Sequence, residues 1–238
     1  NLLVTGGAGF IGSNFIDYFL NKYNDTNVIN LDILTYAGNL DNLKNVKNNS
    51  RYKFIHGDIC DKKLVENIFL EHKIDGVINF AAETHVDNSI NNPNIFIRTN
   101  INGVFNLLNI CYRHWMTSPF KVKSIFKYAR FHQISTDEIY GSIIKGSFTE
   151  KSNYYPNSPY SASKASADML VRSFNKTYGL NTTTSISSNN FGPNQNNEKF
   201  IPKIIESLIN SKPIPVYGDG LNIRDWIYVE DHAEAILL

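Results

Sequence analysis

The strongest constraint on the fold is a cluster of glycines between an apolar segment and an amphipathic one. Apolar residues 2–4 lead into Gly6-Gly7-Ala8-Gly9-Phe10-Ile11-Gly12, and apolar side chains then recur at helical spacing up to Tyr23. This pattern predicts a strand, a tight turn and a helix. A diphosphate binds well at such a helix N-terminus, because unpaired N–H groups favour an anion and glycine lets the backbone approach it closely.

The rest of the chain alternates strand and helix patterns. Short apolar runs predict strands at 28–31, 52–55, 77–80, 131–134 and 183–186. Helical spacing predicts helices at 62–72, 94–114, 159–178, 201–209 and 231–238. Strands that alternate with helices favour right-handed crossovers and a parallel sheet covered on both faces. The sequence therefore predicts an α/β fold with a doubly wound, Rossmann-type sheet.

The character of the chain changes near residue 189, where Gly192-Pro193, Pro213, Pro215 and Gly218-Asp219-Gly220 interrupt the periodicity. We predict a Rossmann-type nucleotide-binding domain at 1–188 and the start of a smaller substrate-binding region at 189–238. The sequence opens inside a strand pattern and stops inside a helical one. We therefore expect terminal segments of the substrate-binding region to be missing.

Composition narrows the class of protein. With 238 residues and 42% hydrophobic residues, the chain can bury a sizeable core, and 23 basic against 22 acidic residues exclude a nucleic-acid or anionic-membrane binder. Cys60 and Cys111 have neither a disulfide framework nor a metal-ligand spacing, so we expect no metal. No apolar run approaches the roughly 20 residues of a membrane span, and no signal peptide is evident. A cytoplasmic protein is expected.

Residues at three predicted strand ends are candidates for binding a dinucleotide. Asp32 falls twenty residues after Gly12, where a carboxylate accepts hydrogen bonds from a ribose and repels a 2′-phosphate, so NAD is favoured over NADP. Asp58 and Ile59 follow the third strand and would lie beside the adenine. Small residues at the fourth strand end, Ala81-Ala82, would let the cofactor pass, although packing between sheet and helix explains them equally well.

Tyr160 and Lys164 lie four residues apart in a predicted helix that Asn157-Ser158-Pro159 introduces. A lysine ammonium beside a phenol favours phenolate, so we expect the pKa of Tyr160 to fall from about 10 toward neutrality and the group to act as a base. The fifth strand ends in Ser135-Thr136-Asp137-Glu138, at the sheet edge where ligands bind. Two adjacent carboxylates there can divide acid and base roles if their pKa values differ.

These motifs resemble the extended short-chain dehydrogenase/reductases, and among them the nucleoside-diphosphate-glucose 4,6-dehydratases. The specific resemblance lies in Thr136-Asp137-Glu138, in 187–193 (SSNNFGP), in Glu198-Lys199 and in 224–232 (RDWIYVEDH). It covers nearly the whole chain. Related sugar-nucleotide epimerases share the glycine motif and the Tyr/Lys pair but usually lack the acidic pair, so Thr-Asp-Glu is the discriminating signal.

The resemblance implies an NAD-dependent reaction on a nucleotide sugar. Tyr160 would take the proton of the glucose 4-hydroxyl, with Lys164 tuning Tyr160 and Thr136 bonding the 4-oxygen. Glu138 would then remove the C5 proton while Asp137 protonates the leaving C6 hydroxyl. The cofactor would be held by Gly6, Gly9, Phe10, Ile11, Gly12, Asp32, Asp58, Ile59, Ala81, Ala82, Tyr160 and Lys164.

The same resemblance implies a set of residues that hold the sugar nucleotide: Thr84, His85, Asn190, Lys199, Tyr217, Arg224 and His232. A solvated face remains the alternative for Lys199 and Arg224, and a structural role for His85. Thr84, Asn88 and Asn194 depart from the pattern usual in bacterial dTDP-glucose enzymes and look like UDP-glucose enzymes, so the nucleotide base stays open. The stretch 115–130 looks longer than the usual link and has no assigned role.

Two other functions compete with a dTDP- or UDP-glucose 4,6-dehydratase. A 4-epimerase or decarboxylase would use the same scaffold, and a non-catalytic NAD-binding protein would share the fold, because fold does not determine function. The acidic pair disfavours the first, and the complete set of five candidate catalytic residues disfavours the second. The family resemblance further implies a homodimer through helices 94–114 and 159–178.

Overall fold

The computed structural model describes residues 1–216 and 218–238. Its strands are β1 (Leu2–Thr5), β2 (Val28–Asp32), β3 (Tyr52–His56), β4 (Gly76–Asn79), β5 (Met116–Ser118), β6 (Lys121–Val122), β7 (Arg130–Thr136), β8 (Thr182–Ser187), β9 (Asn189–Phe191) and β10 (Trp226–Tyr228). Six of them form a parallel sheet in the order β3-β2-β1-β4-β7-β8. The order reverses between β1 and β4, which places a crevice for a ligand at their carboxyl ends.

Helices flank this sheet. They are α1 (Phe10–Lys22), α2 (Lys62–His72), α3 (Val86–Asn91), α4 (Pro93–Phe96), α5 (Val104–Trp115), α6 (Pro159–Tyr178), α7 (Phe200–Ile209) and α8 (Val229–Ile236). Short 3-10 turns lie at Leu40–Leu43, Ser124–Phe126 and Asp137–Tyr140, and a π-helical segment lies at Ile97–Gly103. The predicted doubly wound α/β fold is confirmed.

The sheet is apolar on both faces because helices cover both. In β1, Leu3 belongs to the core formed with α2, α5 and α6, while its neighbour Val4 belongs to the core formed with α1. Alternate residues of a strand point to opposite faces, so a buried parallel strand is apolar throughout. This explains why the sequence shows short continuous apolar runs rather than alternation.

The predicted helix at 94–114 is wrong in one respect. The chain is helical from α4 to α5, but Ile97–Gly103 is wound as a π-helix. Asn100 and Gly103 of this segment are buried, and a Cβ on Gly103 would lie 2.5 Å from Ile59 Cδ1. Single π-helical turns often occur at functional sites because they re-aim side chains.

The chain after residue 188 contributes to the same body. β9 pairs in parallel with β10, and Ala233 of α8 is buried in the core that α1 also lines. The division into 1–188 and 189–238 stays a prediction. The stretch 115–130 forms the antiparallel pair β5-β6 followed by a 3-10 turn, a feature that the sequence did not predict.

Candidate functional site

The glycine loop closes against the sheet so tightly that side chains are excluded at two positions. Gly6 has a φ of +71°, and a Cβ there would lie 2.6 Å from the Ala81 nitrogen. A Cβ on Gly12 would lie 2.5 Å from the Gly6 oxygen. Gly9, the residue before α1, has an extended backbone and provides no side-chain cap. The N–H groups at the start of α1, near Phe10, are therefore free of a side-chain cap and suit an anion.

Asp32 lies at the end of β2, directly beside this loop. Its Oδ2 accepts a hydrogen bond from the Ala8 N–H at 2.9 Å, and its Oδ1 accepts one from the Leu34 N–H at 2.8 Å. The side chain is 8% exposed. A carboxylate fixed here disfavours a 2′-phosphate by charge repulsion. The glycine cradle, the uncapped helix and this carboxylate together fit a dinucleotide of the NAD type.

The other predicted cofactor residues differ in accessibility. Asp58 accepts from the Cys60 N–H at 2.8 Å and forms an ion pair with Arg98, which the sequence did not suggest. Ile59 is 4% exposed and packs in the core, and its contact with the adenine stays a prediction. Ala81 packs against Gly6, and with Ala82 it is half-buried at the end of β4.

Helix α6 presents Tyr160 and Lys164 to the sheet. Ser158 caps the helix through the Ser161 N–H, and Pro159 occupies its first turn, which explains why it begins here. Tyr160 is 8% exposed and Lys164 is 5% exposed. The Lys164 Nζ donates to the Ile134 carbonyl at 2.7 Å.

The expected lowering of the Tyr160 pKa is wrong for this structure. Burial raises the pKa of the Tyr160 hydroxyl, the charge of Glu138 raises it further, and a hydrogen bond with Thr136 opposes the rise. Burial also lowers the pKa of Lys164. Because the ammonium is bound to the Ile134 carbonyl, desolvation outweighs any stabilisation of phenolate by lysine. The phenol is therefore the resting form.

The end of β7 brings the acidic pair to Tyr160, as predicted. Thr136 Oγ1 accepts a hydrogen bond from the Glu138 N–H at 3.3 Å and lies 3.4 Å from Asp137 Oδ1, which shapes the 3-10 turn. Burial raises the pKa of Asp137. Burial also raises the pKa of Glu138, followed by the charge of Asp137, while the charges of Lys199 and Arg224 lower it.

Several of the residues predicted to bind the sugar nucleotide lie near one another, although they come from three separate segments of the chain. Thr84 is exposed and lies beside Tyr36, where burial raises the pKa of the Tyr36 hydroxyl and Thr84 opposes the rise. His85 Nε2 lies 3.7 Å from Glu198 Oε2, and Lys199 Nζ lies 3.6 Å from Glu198 Oε1. The sequence suggested no role for Tyr36, which lies in no motif, or for Glu198, which is part of the Glu198-Lys199 resemblance without a role of its own.

The side chains of Asn190 and His232 bind each other. His232 Nδ1 lies 2.7 Å from Asn190 Oδ1, and the Asn190 amide nitrogen donates to Ser187 Oγ and to the Ser188 carbonyl, both at 3.1 Å. His232 is 2% exposed, and burial lowers its pKa to about 4. These contacts hold α8 against β9. The role of both residues in binding a substrate stays a prediction.

Arg224 lies in an exposed segment, where its Nη1 donates to the Ile223 carbonyl at 2.8 Å. Its charge nevertheless lowers the pKa of Asp137 and of Glu138 against the effect of burial, so it lies on the side of the acidic turn. Tyr217, also predicted to contact the substrate, lies outside the described residues.

A residue that the sequence did not single out connects these parts. Asn100, in the π-helical segment, is 1% exposed; its Oδ1 accepts from the Glu83 N–H at 2.9 Å and its Nδ2 donates to Ser163 Oγ at 2.9 Å. Ser163 Oγ in turn donates to the Tyr160 carbonyl at 2.6 Å. The end of β4 is thereby tied to α6. An asparagine within an apolar helical pattern was the available signal.

Two features are absent from the described part of the chain. Residues 1–216 and 218–238 contain no group of three His, Cys, Asp or Glu side chains arranged to hold a metal ion. No helix within these same residues is long and apolar enough to cross a membrane.

Comparison with known proteins gives a consistent result. Residues 3–238 match the family described as GDP-mannose 4,6 dehydratase. A dTDP-glucose 4,6-dehydratase of Escherichia coli is 51% identical, in an alignment that covers 99% of this chain and 67% of that protein. The chain thus spans about two thirds of that relative.

Solved structures of related enzymes share the fold of this chain. The dTDP-glucose 4,6-dehydratase of Bacillus anthracis in complex with NAD is 43% identical, with a TM-score of 0.88 over 99% of this chain and 70% of that one. A UDP-glucose 4-epimerase of Thermotoga maritima is 31% identical, with a TM-score of 0.87 over 100% of this chain and 72% of that one. Across nearly its whole length, therefore, this chain belongs to the GDP-mannose 4,6 dehydratase family and, within the extended short-chain dehydrogenase/reductases, to the nucleoside-diphosphate-glucose 4,6-dehydratases.

Proposed function

We propose that this protein is an enzyme that catalyses the NAD-dependent dehydration of dTDP-glucose to the 4-keto-6-deoxy sugar nucleotide. The observation that carries the proposal is the acidic turn of Asp137 and Glu138 at the end of β7, close enough for both charges to raise the pKa of Tyr160. The similar fold of a 4-epimerase means that fold alone does not select the reaction. An elimination needs an acid and a base beside the oxidation site, and this turn supplies two carboxyl groups there.

NAD, when bound, supplies the acceptor for the C4 hydride and returns that hydride to C6. The chain's part is to hold the cofactor at the glycine loop, with Gly6, Gly9 and Gly12 allowing close approach to the start of α1. Asp32 is oriented by its two backbone hydrogen bonds and would accept from the ribose with its remaining lone pairs.

Tyr160, in its phenolate form, takes the proton of the 4-hydroxyl as C4 is oxidised and becomes the phenol. Thr136 lies beside the Tyr160 hydroxyl and would bond the 4-oxygen there. Because burial keeps Tyr160 a phenol at rest, its own proton must first pass to solvent, and the charge on Lys164 would stabilise the phenolate that then serves as the base. Lys164 is fixed within the core by the Ile134 carbonyl.

The acidic turn then removes water. Glu138 takes the C5 proton, which the new ketone acidifies, and Asp137 gives a proton to the C6 hydroxyl, which leaves as water. Burial raises the pKa of Asp137, which favours the protonated form that an acid needs. The charges of Lys199 and Arg224 oppose the rise at Glu138 and favour a base. Glu138 returns its proton to C5 when C6 receives the hydride.

The nucleotide sugar would be bound by exposed groups around this turn. Arg224 presents a guanidinium suited to a diphosphate, and Lys199 adds a second positive charge. Thr84 and His85 would contact the sugar from the end of β4. We retain UDP-glucose as a second substrate and a homodimer as the assembly, the latter supported by exposed apolar side chains on α5 and α6 such as Phe105 and Met169.

The test supplies dTDP-glucose and UDP-glucose separately, at matched concentrations and with NAD, and identifies the products by mass and NMR. Loss of one water with formation of a 4-keto-6-deoxy sugar is the expected result. A product that retains its C6 oxygen and is inverted at C4 would instead assign the protein to the epimerases. Recovery of unchanged sugar from a protein that binds NAD would favour the non-catalytic alternative.

A further inference from the structure

The face of α6 that carries Tyr160 and Lys164 continues to Asp168, which the reaction proposed above does not use. Residues spaced by four lie in a row along a helix. The Asp168 side chain is only 4% exposed. A carboxylate this deeply buried costs free energy unless it is paired and hydrogen-bonded.

Asp168 has one hydrogen-bond partner in the sheet and one charged neighbour on its own helix. The Ser135 hydroxyl of β7 donates to Asp168 Oδ2. Asp168 Oδ1 is buried without a hydrogen-bond partner among residues 1–216 and 218–238. Burial raises the pKa of Asp168 to about 6, against the charge of Lys164 and the bond from Ser135. The carboxylate is therefore mostly ionised at neutral pH.

Lys164 is the group that needs this charge. Its side chain is 5% exposed, and its Nζ donates to the neutral Ile134 carbonyl, which cannot balance an ammonium. Burial lowers the pKa of Lys164, and the charge of Asp168 is what raises it. An ammonium in the protein interior loses its proton readily when no opposite charge is near.

Other polar groups face Asp168 from neighbouring segments. Burial raises the pKa values of Tyr140 and Tyr154, and the charge of Asp168 adds to both effects. Arg172, one turn along α6, and Thr182–Thr184 of β8 line the same cavity of about 950 Å³ as Asp168. Asp137 and Glu138 lie beyond Tyr160, whose pKa they raise.

We propose that Asp168 is a positioning residue: it supplies the counter-charge that keeps the buried Lys164 protonated, and through Ser135 it anchors the strand end that carries Thr136. The inference rests on the proposed function only where it assigns Lys164 to the phenolate of Tyr160. Asp168 touches neither sugar nor cofactor and acts through Lys164. It therefore determines the pH range over which the Tyr160 and Lys164 pair works.

The effect of removing the charge has a definite sign. A carboxylate favours the protonated form of each neighbour, so Asp168→Asn lowers the pKa of both Lys164 and Tyr160. Both limbs of the kcat/KM profile should move to lower pH, by about one unit, while the amide still accepts from Ser135. Asp168→Glu restores the charge and should bring the limbs back. Ser135→Ala loses the anchor and also raises the pKa of Asp168, so rates should fall while the limbs move less than in Asp168→Asn.

A measurement independent of turnover decides the matter. The lysine side chains of the full chain loaded with NAD are followed by NMR, and the Lys164 signal is identified by its loss in Lys164→Met. In Asp168→Asn the Lys164 titration should move down by about one pH unit, and in Ser135→Ala it should move down less, because the carboxylate remains. In the unaltered protein the Lys164 signal should respond as Asp168 titrates around its pKa of about 6.

A Lys164 titration that is the same in Asp168→Asn and in the unaltered protein would overturn the proposal. If Asp168→Asn does not fold, the unaltered protein still decides, because a Lys164 signal that shows no response to the titration of Asp168 at any acidic pH would also overturn it. If the Lys164 signal behaves as expected but dTDP-glucose is not dehydrated, the proposed function fails and the role of Asp168 stands.

Discussion

The two ends of the candidate site are built in opposite ways. Tyr160 and Lys164 are 8% and 5% exposed, and the Ile134 carbonyl of strand β7 accepts a hydrogen bond from Lys164. Arg224 and Lys199, at the other end, are respectively exposed and half-exposed, and each contacts a sequence neighbour. The side chains at one end are held by the protein core, whereas those at the other end are exposed to solvent.

The two ends differ in how far their side chains are ordered before a ligand binds. Buried groups have few rotamers left to lose and feel strong electrostatic effects, so the chemical end is preorganised before a ligand arrives. Exposed long side chains keep their rotamers, are screened by salt and must be ordered by the ligand. Substitutions at the buried end should therefore change kcat strongly, and substitutions at the exposed end should change KM modestly.

The largest effect is expected at the buried end, from Tyr160→Phe. Removing a positioned proton-transfer group typically costs about 10²- to 10⁴-fold in rate. On rapid mixing with dTDP-glucose, this variant should show almost no transient NADH absorbance, because C4 is not oxidised. Tyr155→Phe, at a 77% exposed tyrosine, is the matched control and should behave as the unaltered protein. Normal NADH formation in Tyr160→Phe would remove Tyr160 as the base.

Glu138→Gln should separate the two half-reactions. The carboxylate is not needed for C4 oxidation, so NADH should accumulate while the 6-deoxy product falls by about 10²- to 10⁴-fold. In deuterated water, label should enter C5 slowly or not at all. Glu150→Gln, at an exposed glutamate, serves as the control. Dehydration by Glu138→Gln at the unaltered rate would show that the base lies elsewhere.

The fold was predictable where local signals agree with it. The bounds of α2 and α6 match the prediction to the residue, and α6 carries its own start signal in Ser158-Pro159. The π-helical turn was not predictable, because it depends on Asn100 bonding to Glu83 and to Ser163, which are 17 and 63 residues away. Strands of three residues such as β9 have too few positions to show a period.

The structure brings several of the predicted site residues together, their roles stay predictions, and the pKa of Tyr160 was not predictable. The motif brings Thr136, Asp137 and Glu138 to Tyr160 because the strand end and the helix start meet at one sheet edge. The direction of the Tyr160 pKa was wrong, since desolvation depends on packing that no local pattern encodes. The pairing of Asn190 with His232 was missed for the same reason.

Asp32 offers a third test, of intermediate size, at a buried residue that binds rather than reacts. The unaltered protein should bind NAD more tightly than NADP, because the carboxylate repels a 2′-phosphate. Asp32→Asn loses the charge and keeps one acceptor oxygen, which can serve either the Ala8 or the Leu34 N–H but not both. The preference should shrink about tenfold, equivalent to about 1.4 kcal/mol. Equal titrations of the two cofactors by the unaltered protein would show that Asp32 does not face the ribose.

A smaller effect is expected at the exposed end. Arg224→Lys keeps the charge but loses bidentate binding, so KM for dTDP-glucose should rise about three- to tenfold with little change in kcat. Raising the salt concentration should increase KM in the unaltered protein, because salt screens exposed charges far more than buried ones. The rate of NADH formation at saturating nucleotide sugar should stay nearly constant. Arg51→Lys controls for general effects of the substitution, because the Arg51 guanidinium binds the Leu20 carbonyl and lies far from Arg224 in the sequence. If kcat in Arg224→Lys fell as steeply as in Tyr160→Phe, the two ends of the site would not differ in the way described above.

The smallest difference is expected between the two nucleotide bases. UDP-glucose should turn over at a rate comparable to dTDP-glucose, because Thr84, Asn88 and Asn194 follow the pattern of UDP-glucose enzymes. Asn194 has a second explanation, since its φ of +66° is tolerated best by asparagine among residues with a side chain, and its amide donates to Ser13 Oγ at 3.3 Å. Thr84 and Asn88 therefore carry the prediction, and Thr84→Ser with Asn88→Arg should lower the UDP-glucose rate relative to dTDP-glucose. If the unaltered protein turns over UDP-glucose many-fold more slowly than dTDP-glucose, these residues do not select the base.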